Sequence, residues 1–133
     1  MLTDLVNTLL GIELPNLNTK RYGDVYDILN NRPIDYCAFI VEAVSAREAA
    51  MSEITLRLTV VDMLMEDESN LLQVFDNCHK MLHDILLHLP DDVEYQEYSV
   101  DFIKQDFADH LAGVYADITF TTEPYTCEYY GKE

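Results

Sequence analysis

The stretch "CHKMLHDILLH", residues 78–88, holds three of the chain's four histidines and one of its three cysteines. Asp76, His79 and His83 are spaced i, i+3 and i+7, so on a helix they would lie along one border. A His-x-x-x-His pair on a helix is a common zinc-binding spacing. The metalloprotease form has Glu directly after the first histidine, but Lys80 stands there, and an ammonium group disfavours a bound cation.

The pattern therefore favours histidines at the edge of a core or of a subunit contact, where an imidazole tolerates half-burial. A metal site is the alternative, and His110 would complete it only if the fold brought that residue close. A zinc-dependent shift in melting temperature that is lost in His79→Ala would support the metal site. We expect no metal and no cofactor.

Other catalytic signatures are weak. Four glycines do not supply a glycine-rich phosphate loop, and G-x-S-x-G is absent. Cys37 falls in an apolar segment, which is a poor environment for a thiolate. Carboxylate pairs such as Asp91 with Asp92 are so frequent that a solvated acidic surface explains them. The sequence predicts a protein that is not an enzyme.

The same stretch belongs to a predicted helix over residues 70–89, which ends before Pro90. At about 100° per residue, its apolar side chains form one wide stripe. Cys78 lies in the middle of this stripe as a small buried residue, and His88 points to another flank. The stripe consists of Leu71, Val74, Phe75, Cys78, Met81, Leu82, Ile85, Leu86 and Leu89.

The rest of the chain is predicted to form a single domain over residues 1–133. The expected segments are an N-terminal helix (2–11), an irregular connector (12–35) with a short helical turn at 25–29, an α+β core (36–122) and a C-terminal tail (123–133). In the core, alternation predicts strands at 36–44, 54–61, 94–103 and 113–122, and residues 45–53 are expected to form a protruding hairpin. The fold class is α+β in two layers: an antiparallel sheet of about four strands on one long helix, in α-β-β-α-β-β order.

Charge and cysteine content limit the classes of function. The chain has 25 acidic and 8 basic residues, a formal net charge of −17, and no basic cluster, so conventional DNA or RNA binding is not expected. Three cysteines at wide spacing predict a reducing compartment without disulfides. No apolar run approaches the roughly 20 residues of a membrane helix, so we expect no membrane association.

Three segments together resemble small structural proteins of tailed bacteriophages, particularly the crAss-like phages of Bacteroides. They are "RYGDVYDILNNRPIDYCAFIVE", "VVDMLMEDESNLLQVFDNCHKMLHDILLHL" and "DHLAGVYADITFTTEPYTCEYY". The closest elements are a strand that ends at Asp62 and leads through "EDESN" to a helix, and Gly113 before an amphipathic strand. The resemblance spans about residues 20–130.

The resemblance implies a head-tail connector, tail terminator, tail completion or neck ring protein with a tail terminator-like fold. Such a protein would form a sixfold or twelvefold ring between portal or neck and tail, and DNA would pass through the lumen without specific binding. It would reside in the virion at the head-tail junction after assembly in the host bacterial cytoplasm. The expected subunit interface comprises Arg47, Glu48, Met51, His79, His83, Tyr125, Tyr129 and Tyr130.

A different class of function is also open. An acidic DNA mimic presents carboxylates in place of phosphates and inhibits a host DNA-binding enzyme, and the charge of −17 favours it. Against it, the predicted strands alternate Thr, Ser and Tyr with only scattered acidic residues.

Overall fold

The structure, a computed structural model, describes residues 2–31, 34–48, 52–106 and 109–122. These residues form three helices and six strands. In chain order they are α1 (Leu2–Leu10), β1 (Thr19–Tyr22), α2 (Val25–Asn31), β2 (Ala38–Glu48), β3 (Ser52–Met63), α3 (Leu71–Leu87), β4 (Glu94–Tyr95), β5 (Asp101–Asp106) and β6 (His110–Thr122).

The strands form one mostly antiparallel sheet in the order β1-β2-β3-β6, and β4 and β5 share the far side of β6. The α+β class is thus confirmed, but the described residues hold six strands rather than about four, and their order is longer than α-β-β-α-β-β. The connector was expected to be irregular; it contains α2 and also β1, which pairs in parallel with the start of β2. A strand of four mostly polar residues has too little alternation to be recognised, because its position depends on a partner distant in sequence.

The main core lies between the sheet and the two helices α1 and α3. The stripe predicted on α3 is the face that packs there: Val74, Cys78, Leu82, Ile85 and Leu86 are buried, and Leu71, Phe75, Met81 and Leu89 pack at its margin. On the sheet, Phe39, Leu58 and Ile118 are among the residues that meet it. The long helix therefore lies on the apolar face of the sheet, as the sequence predicts.

The opposite face of the sheet carries a second, smaller core under α2. Ile28 and Leu29 of α2 pack there with Ala38, Ile40 and Leu111. Ala38 and Ile40 alternate with the residues of β2 that face α3, and alternation along a strand places the two sets on opposite faces. The predicted two-layer arrangement is therefore incomplete, since a short helix covers part of the second face.

The predicted strand over 94–103 is wrong as a continuous element. Tyr95 pairs with Phe120, and Asp101 pairs with Tyr115, so five residues (96–100) stand opposite four (116–119). The extra residue leaves the ladder and reverses which side chains face the core. The segment therefore splits into β4 and β5, and Tyr95 and Phe102 both come to the α3 side.

The hairpin expected to protrude at residues 45–53 is largely part of the sheet. Glu48 pairs with Ser52, and Ser52 pairs in turn with Thr122 of β6, so the start of β3 has strands on both sides. Ser52 and Ile54 are buried. The protruding hairpin is thus corrected to a strand pair within the sheet, and its tip (49–51) lies outside the described residues.

Candidate functional site

One flank of α3 meets the edge strand β5 and carries exposed apolar side chains. The ring of Phe102 on β5 lies 4.9 Å from that of Phe75, measured between centroids, and 6.3 Å from the ring of His79 in an edge-on arrangement. Phe102 is 55% exposed, and Leu72, one turn before Phe75, is 75% exposed. His83 lies one turn beyond His79 and is exposed. We call Leu72, Phe75, His79, His83 and Phe102 the α3–β5 patch.

The metal alternative required Asp76, His79 and His83 to face one ion. In the part of the chain that the structure describes, no group of three His, Cys, Asp or Glu side chains is arranged to hold a metal ion. His79 contacts an aromatic ring instead. His88 lies at the end of α3, where its Nδ1 is 2.8 Å from the carbonyl oxygen of Asp84.

His110, which would complete a metal site only if the fold brought it close to His79 and His83, belongs to a separate charged network. Its Nε2 lies 2.9 Å from Glu68 Oε2, and its Nδ1 contacts the carboxylate of Asp106. Lys104 Nζ donates to Glu68 Oε1 at 2.9 Å. The hydrogen bond to Asp106 and then that to Glu68 raise the pKa of His110, whereas Lys104 and then His110 lower the pKa of Glu68. The network joins the turn before α3 to β5 and β6.

The interface residues expected near the hairpin are only partly described. Arg47 is exposed and lies 3.9 Å from Glu53, between Nη1 and Oε1. Glu48 ends β2, and Met51 lies outside the described residues, as do the tail residues Tyr125, Tyr129 and Tyr130.

The outer side of β2 is an open edge along much of its length. β1 pairs only with residues 38–41. From Glu42 to Glu48, the outer side of β2 has no strand partner among the residues that the structure describes. Val44 is an extra residue opposite β3 and is exposed, so the edge is bent there.

The part of the second sheet face that α2 leaves uncovered is polar. Its cationic side chain, Arg57, is already paired. Arg57 donates through Nε and Nη2 to the two carboxylate oxygens of Asp117 at 2.8 and 3.1 Å. Its guanidinium lies 5.0 Å from the centroid of the Tyr115 ring. Thr55 and Thr119 share a hydrogen bond of 2.8 Å across the strands. A paired guanidinium offers a weak site for phosphate.

A cleft of about 590 Å³ runs along the other flank of α3. Cys37 and Cys78 line it, and both are free and buried. Tyr36, also on its wall, donates from its hydroxyl to Asp109 Oδ2 at 3.0 Å. The remaining lining residues are Leu14, Pro15, Asn16, Asn18, Asp62, Asn77, Lys80, Met81 and Asp84.

The sequence did not predict two of these arrangements. It placed Phe102 on an alternating strand but gave no sign that Phe102 would reach Phe75. The sequence placed Cys37 in an apolar segment and predicted Cys78 to be buried, on elements expected to pack together. That shared environment was the available signal that both would line one cleft.

Among the helices of the described residues, none combines the length and hydropathy that a membrane crossing requires. No protein-family model matches the chain, and neither does any curated protein.

Proposed function

We propose that the protein is a virion structural protein that forms a homo-oligomeric ring in the neck or tail terminator region of a tailed bacteriophage. Such a ring joins portal or neck to tail and surrounds the DNA channel. The resemblance of residues 20–130 to crAss-like phage proteins supports this proposal, and the observation that carries it is the α3–β5 patch.

The patch has the composition of an interface centre. Leu72 and Phe102 are more than half exposed, and they adjoin Phe75, which is partly buried in the main core. Burying such surface contributes about 25 cal/mol per Å². A chain with a net charge of −17 repels its own copies, so association requires an apolar or paired contact that outweighs this repulsion. Aromatic side chains framed by polar ones are typical of protein interfaces.

The position of the patch suits a ring. A closed ring repeats one heterologous contact, in which two different surfaces of the subunit meet. The α3–β5 patch lies at one lateral edge of the sheet, and the open edge of β2 from Glu42 to Glu48 lies towards the opposite one. Surfaces at opposite edges of a sheet can join copies of the subunit head to tail.

The acidic surface agrees with a DNA channel. Phosphates are repelled by carboxylates, so DNA slides through an anionic lumen without being held. The only bidentate arginine pair of the described residues, Arg57 with Asp117, leaves that guanidinium already engaged.

The test is the solution mass of the protein by light scattering, with negative-stain imaging. The proposal expects closed rings for the wild type, and smaller species for Leu72→Asp and for Phe102→Asp. Gln73→Asp is the matched control: it adds the same charge to an exposed site of α3, on the other flank from Leu72, and the rings are expected to persist. A wild-type chain that stays monomeric at about 100 µM, well above the dissociation constant of a stable interface, would contradict the proposal.

The charge of −17 also favours the acidic DNA mimic as a second candidate. The same samples separate the two functions. A monomer or dimer that competes with DNA for a nuclease supports the mimic, and a ring without competition supports the connector.

A further inference from the structure

Both lateral edges of the sheet carry backbone groups that have no strand partner in the part of the chain that the structure describes. On one edge, the outer side of β2 is open from Glu42 to Glu48, and residues 43–47 are exposed. On the other edge, β5 pairs only with β6, and most of its residues are exposed. Open edges accept a further strand through main-chain hydrogen bonds. Each edge is therefore a surface for a strand of another chain.

The strand directions make the two edges compatible with one another. β2 and β6 are both antiparallel to β3, and β5 is antiparallel to β6, so β5 runs opposite to β2. In a ring whose axis lies along the strands, every copy keeps the same strand direction and turns α3 to the same side. The β5 of one copy then meets the β2 of the next copy as an antiparallel pair, which is the more stable type of ladder.

On β2, the outward backbone groups of the open segment belong to Ala43 and Ala46. The carbonyl oxygen of Val41 accepts from the amide of Gly23 on the β1 side, so it points outwards. Alternate residues of a strand turn their N–H and C=O groups to the same side, so those of Ala43 point outwards too. Ala43 and Ala46 pair with residues that lie two apart on β3, and the bulge accounts for the extra residue between them. Ala46 therefore has the same orientation as Ala43.

On β5, the outward backbone groups belong to Phe102 and Lys104. The carbonyl oxygen of Thr119 on β6 accepts from the amide of Gln96, so alternate residues of β6 counted from Thr119 turn their backbone groups towards β4 and β5. The chain neighbours of Phe102 pair with two of these residues. The backbone groups of Phe102 and Lys104 therefore point away from β6, towards the open side.

The faces of the sheet restrict the register between the two edges. The ring of Phe102 lies on the α3 side, where its centroid is 4.9 Å from that of Phe75. Ala46 is opposite Ile54, a residue of the main core, and so lies on the same side. Opposed residues must share a face, and outward backbone groups must meet. The registers that satisfy both conditions differ by steps of two residues.

Charge selects one of these registers. In it, Arg47 stands opposite Asp101. The side chain of Arg47 is 78% exposed, and its Nη1 is 3.9 Å from Glu53 Oε1, so it keeps guanidinium donors for a second carboxylate. A shift by two residues in either direction places Arg47 opposite Ile103 or Ser99, neither of which is charged. Only the first register pairs opposite charges at this position.

We propose that β5 of one copy pairs antiparallel with the open edge of β2 in the next copy, with Phe102 opposite Ala46 and Asp101 opposite Arg47. The inference rests on the proposed ring and names the contact that builds it. The small side chain of Ala46 leaves room for the ring of Phe102, and the rest of the α3–β5 patch comes to the same interface. The sheet then continues from subunit to subunit.

Disulfide trapping in the assembled full-length protein tests the register. Arg47 and Asp101 would form a non-hydrogen-bonded pair with Cα atoms about 4.5 Å apart, which a disulfide can span. Within one copy, the two positions are three strand spacings apart, about 14 Å, so a link between them joins two copies. Oxidised Arg47→Cys/Asp101→Cys is expected to give a ladder of covalent multimers, with the 47–101 link identified by peptide mass spectrometry.

The matched control is Ser45→Cys/Asp101→Cys, which moves one cysteine by two residues along the same strand. The Cα atoms of such a diagonal pair are about 7–8 Å apart, beyond the usual span of a disulfide. This variant is expected to give at least about tenfold less of the 45–101 link.

A charge exchange gives an independent readout. Arg47→Asp places two carboxylates opposite each other, so light scattering is expected to show smaller species than the wild-type ring. Adding Asp101→Arg is expected to restore the ring. Asp91→Arg adds the same charge in the turn after α3, away from both edges, and is expected not to restore it.

Hydrogen exchange of the unsubstituted chain decides the matter even if a variant fails to fold. The amides of Ala43, Ala46, Phe102 and Lys104 are expected to be protected in the ring and to exchange faster in dissociated subunits. Rings in which these amides are unprotected, in which the 45–101 link forms as readily as the 47–101 link, or in which Asp101→Arg fails to restore assembly would overturn this pairing alone. A wild type that stays monomeric would overturn the proposed function and this pairing with it.

Discussion

Gly113 of β6 lies opposite Val61 of β3, and the two backbones approach so closely that a Cβ at position 113 would be 2.8 Å from the Cα of Val61. The carbonyl carbon of Val60 would lie 2.9 Å from the same Cβ. All of these neighbours are backbone atoms of the central strands, which cannot rotate away as a side chain can. Only glycine fits at this point of the sheet.

We therefore predict that Gly113→Ala lowers the free energy of unfolding by at least about 3 kcal/mol, because the β3–β6 ladder must separate locally. Chemical denaturation followed by circular dichroism measures this change. Gly11→Ala at the exposed end of α1 is the control, and its effect is expected to stay within about 1 kcal/mol. Equal effects of the two substitutions would mean that the close approach at Gly113 is not a constraint.

The stability of the protein is predicted to depend on pH through the charged network of Glu68, His110, Asp106 and Lys104. The pKa of His110 is raised from 6.5, so the stability that its charge contributes is fully present below pH 6.5 and is lost as pH rises through the raised value. The pKa of Glu68 is lowered from 4.5, so its contribution is present above pH 4.5 and is lost as pH falls through the lowered value. The ionised His110 and Glu68 therefore both contribute their full stability between pH 4.5 and pH 6.5.

Melting temperatures across the pH range test this point. The difference between the wild type and His110→Gln is expected to be largest at about pH 5 to 6 and to disappear at alkaline pH. His88→Gln is the matched control, since His88 contacts a backbone carbonyl rather than a carboxylate. A wild-type advantage over His110→Gln that grows with pH would contradict the assigned sign.

Alanine substitution at two phenylalanines, one in the core and one on the surface, should give very different losses in the free energy of unfolding. Phe120 on β6 is fully buried in the main core, whereas Phe102 on β5 is half exposed. Phe120→Ala is expected to lower the free energy of unfolding by about 4 kcal/mol, and Phe102→Ala by about 1 kcal/mol. The comparison uses denaturation at a protein concentration low enough to keep the chain monomeric. A large loss in the free energy of unfolding for Phe102→Ala under these conditions would show that Phe102 mainly stabilises the fold of the single subunit.

Tyr36 is expected to ionise later than an exposed tyrosine. Burial, and then the hydrogen bond to Asp109, raise its pKa from 10.0. Stability from the neutral phenol is therefore present below pH 10 and is lost as pH rises towards the raised value. Tyr36→Phe is expected to remove the last part of the ultraviolet titration curve and to lower stability near neutral pH by about 1 kcal/mol. An unchanged curve at its alkaline end would contradict this assignment.

The parts of the fold that the sequence predicted depend on local periodicity. The stripe of α3 repeats with the helical period, and the alternation of Ile54, Leu56 and Leu58 matches the buried face of β3. Neither pattern requires knowledge of a distant partner. The α+β class and the packing of the long helix on the sheet follow from them.

The features that the sequence did not predict depend on the register between segments that are distant in the chain. The extra residue in 96–100 is visible only when β4 and β5 are aligned with β6. The parallel pairing of Thr19 with Ala38 is likewise set by how elements dock, and so is the cleft that Cys37 and Cys78 both line. His79 and His83, which the sequence places at a subunit interface, lie on the α3–β5 patch, and their role in an interface stays a prediction.

The position of β6 has a consequence for how the chain folds during synthesis. β6 lies in the middle of the sheet, with β3 on one side and β4 and β5 on the other, yet it follows all of them in the described sequence. Until residue 122 leaves the ribosome, β3, β4 and β5 lack the strand that joins them, and the apolar face of α3 has an incomplete surface to cover. Contacts between such distant segments close slowly. A nascent chain would therefore expose part of its core until β6 inserts, and shielding by chaperones would matter before that step.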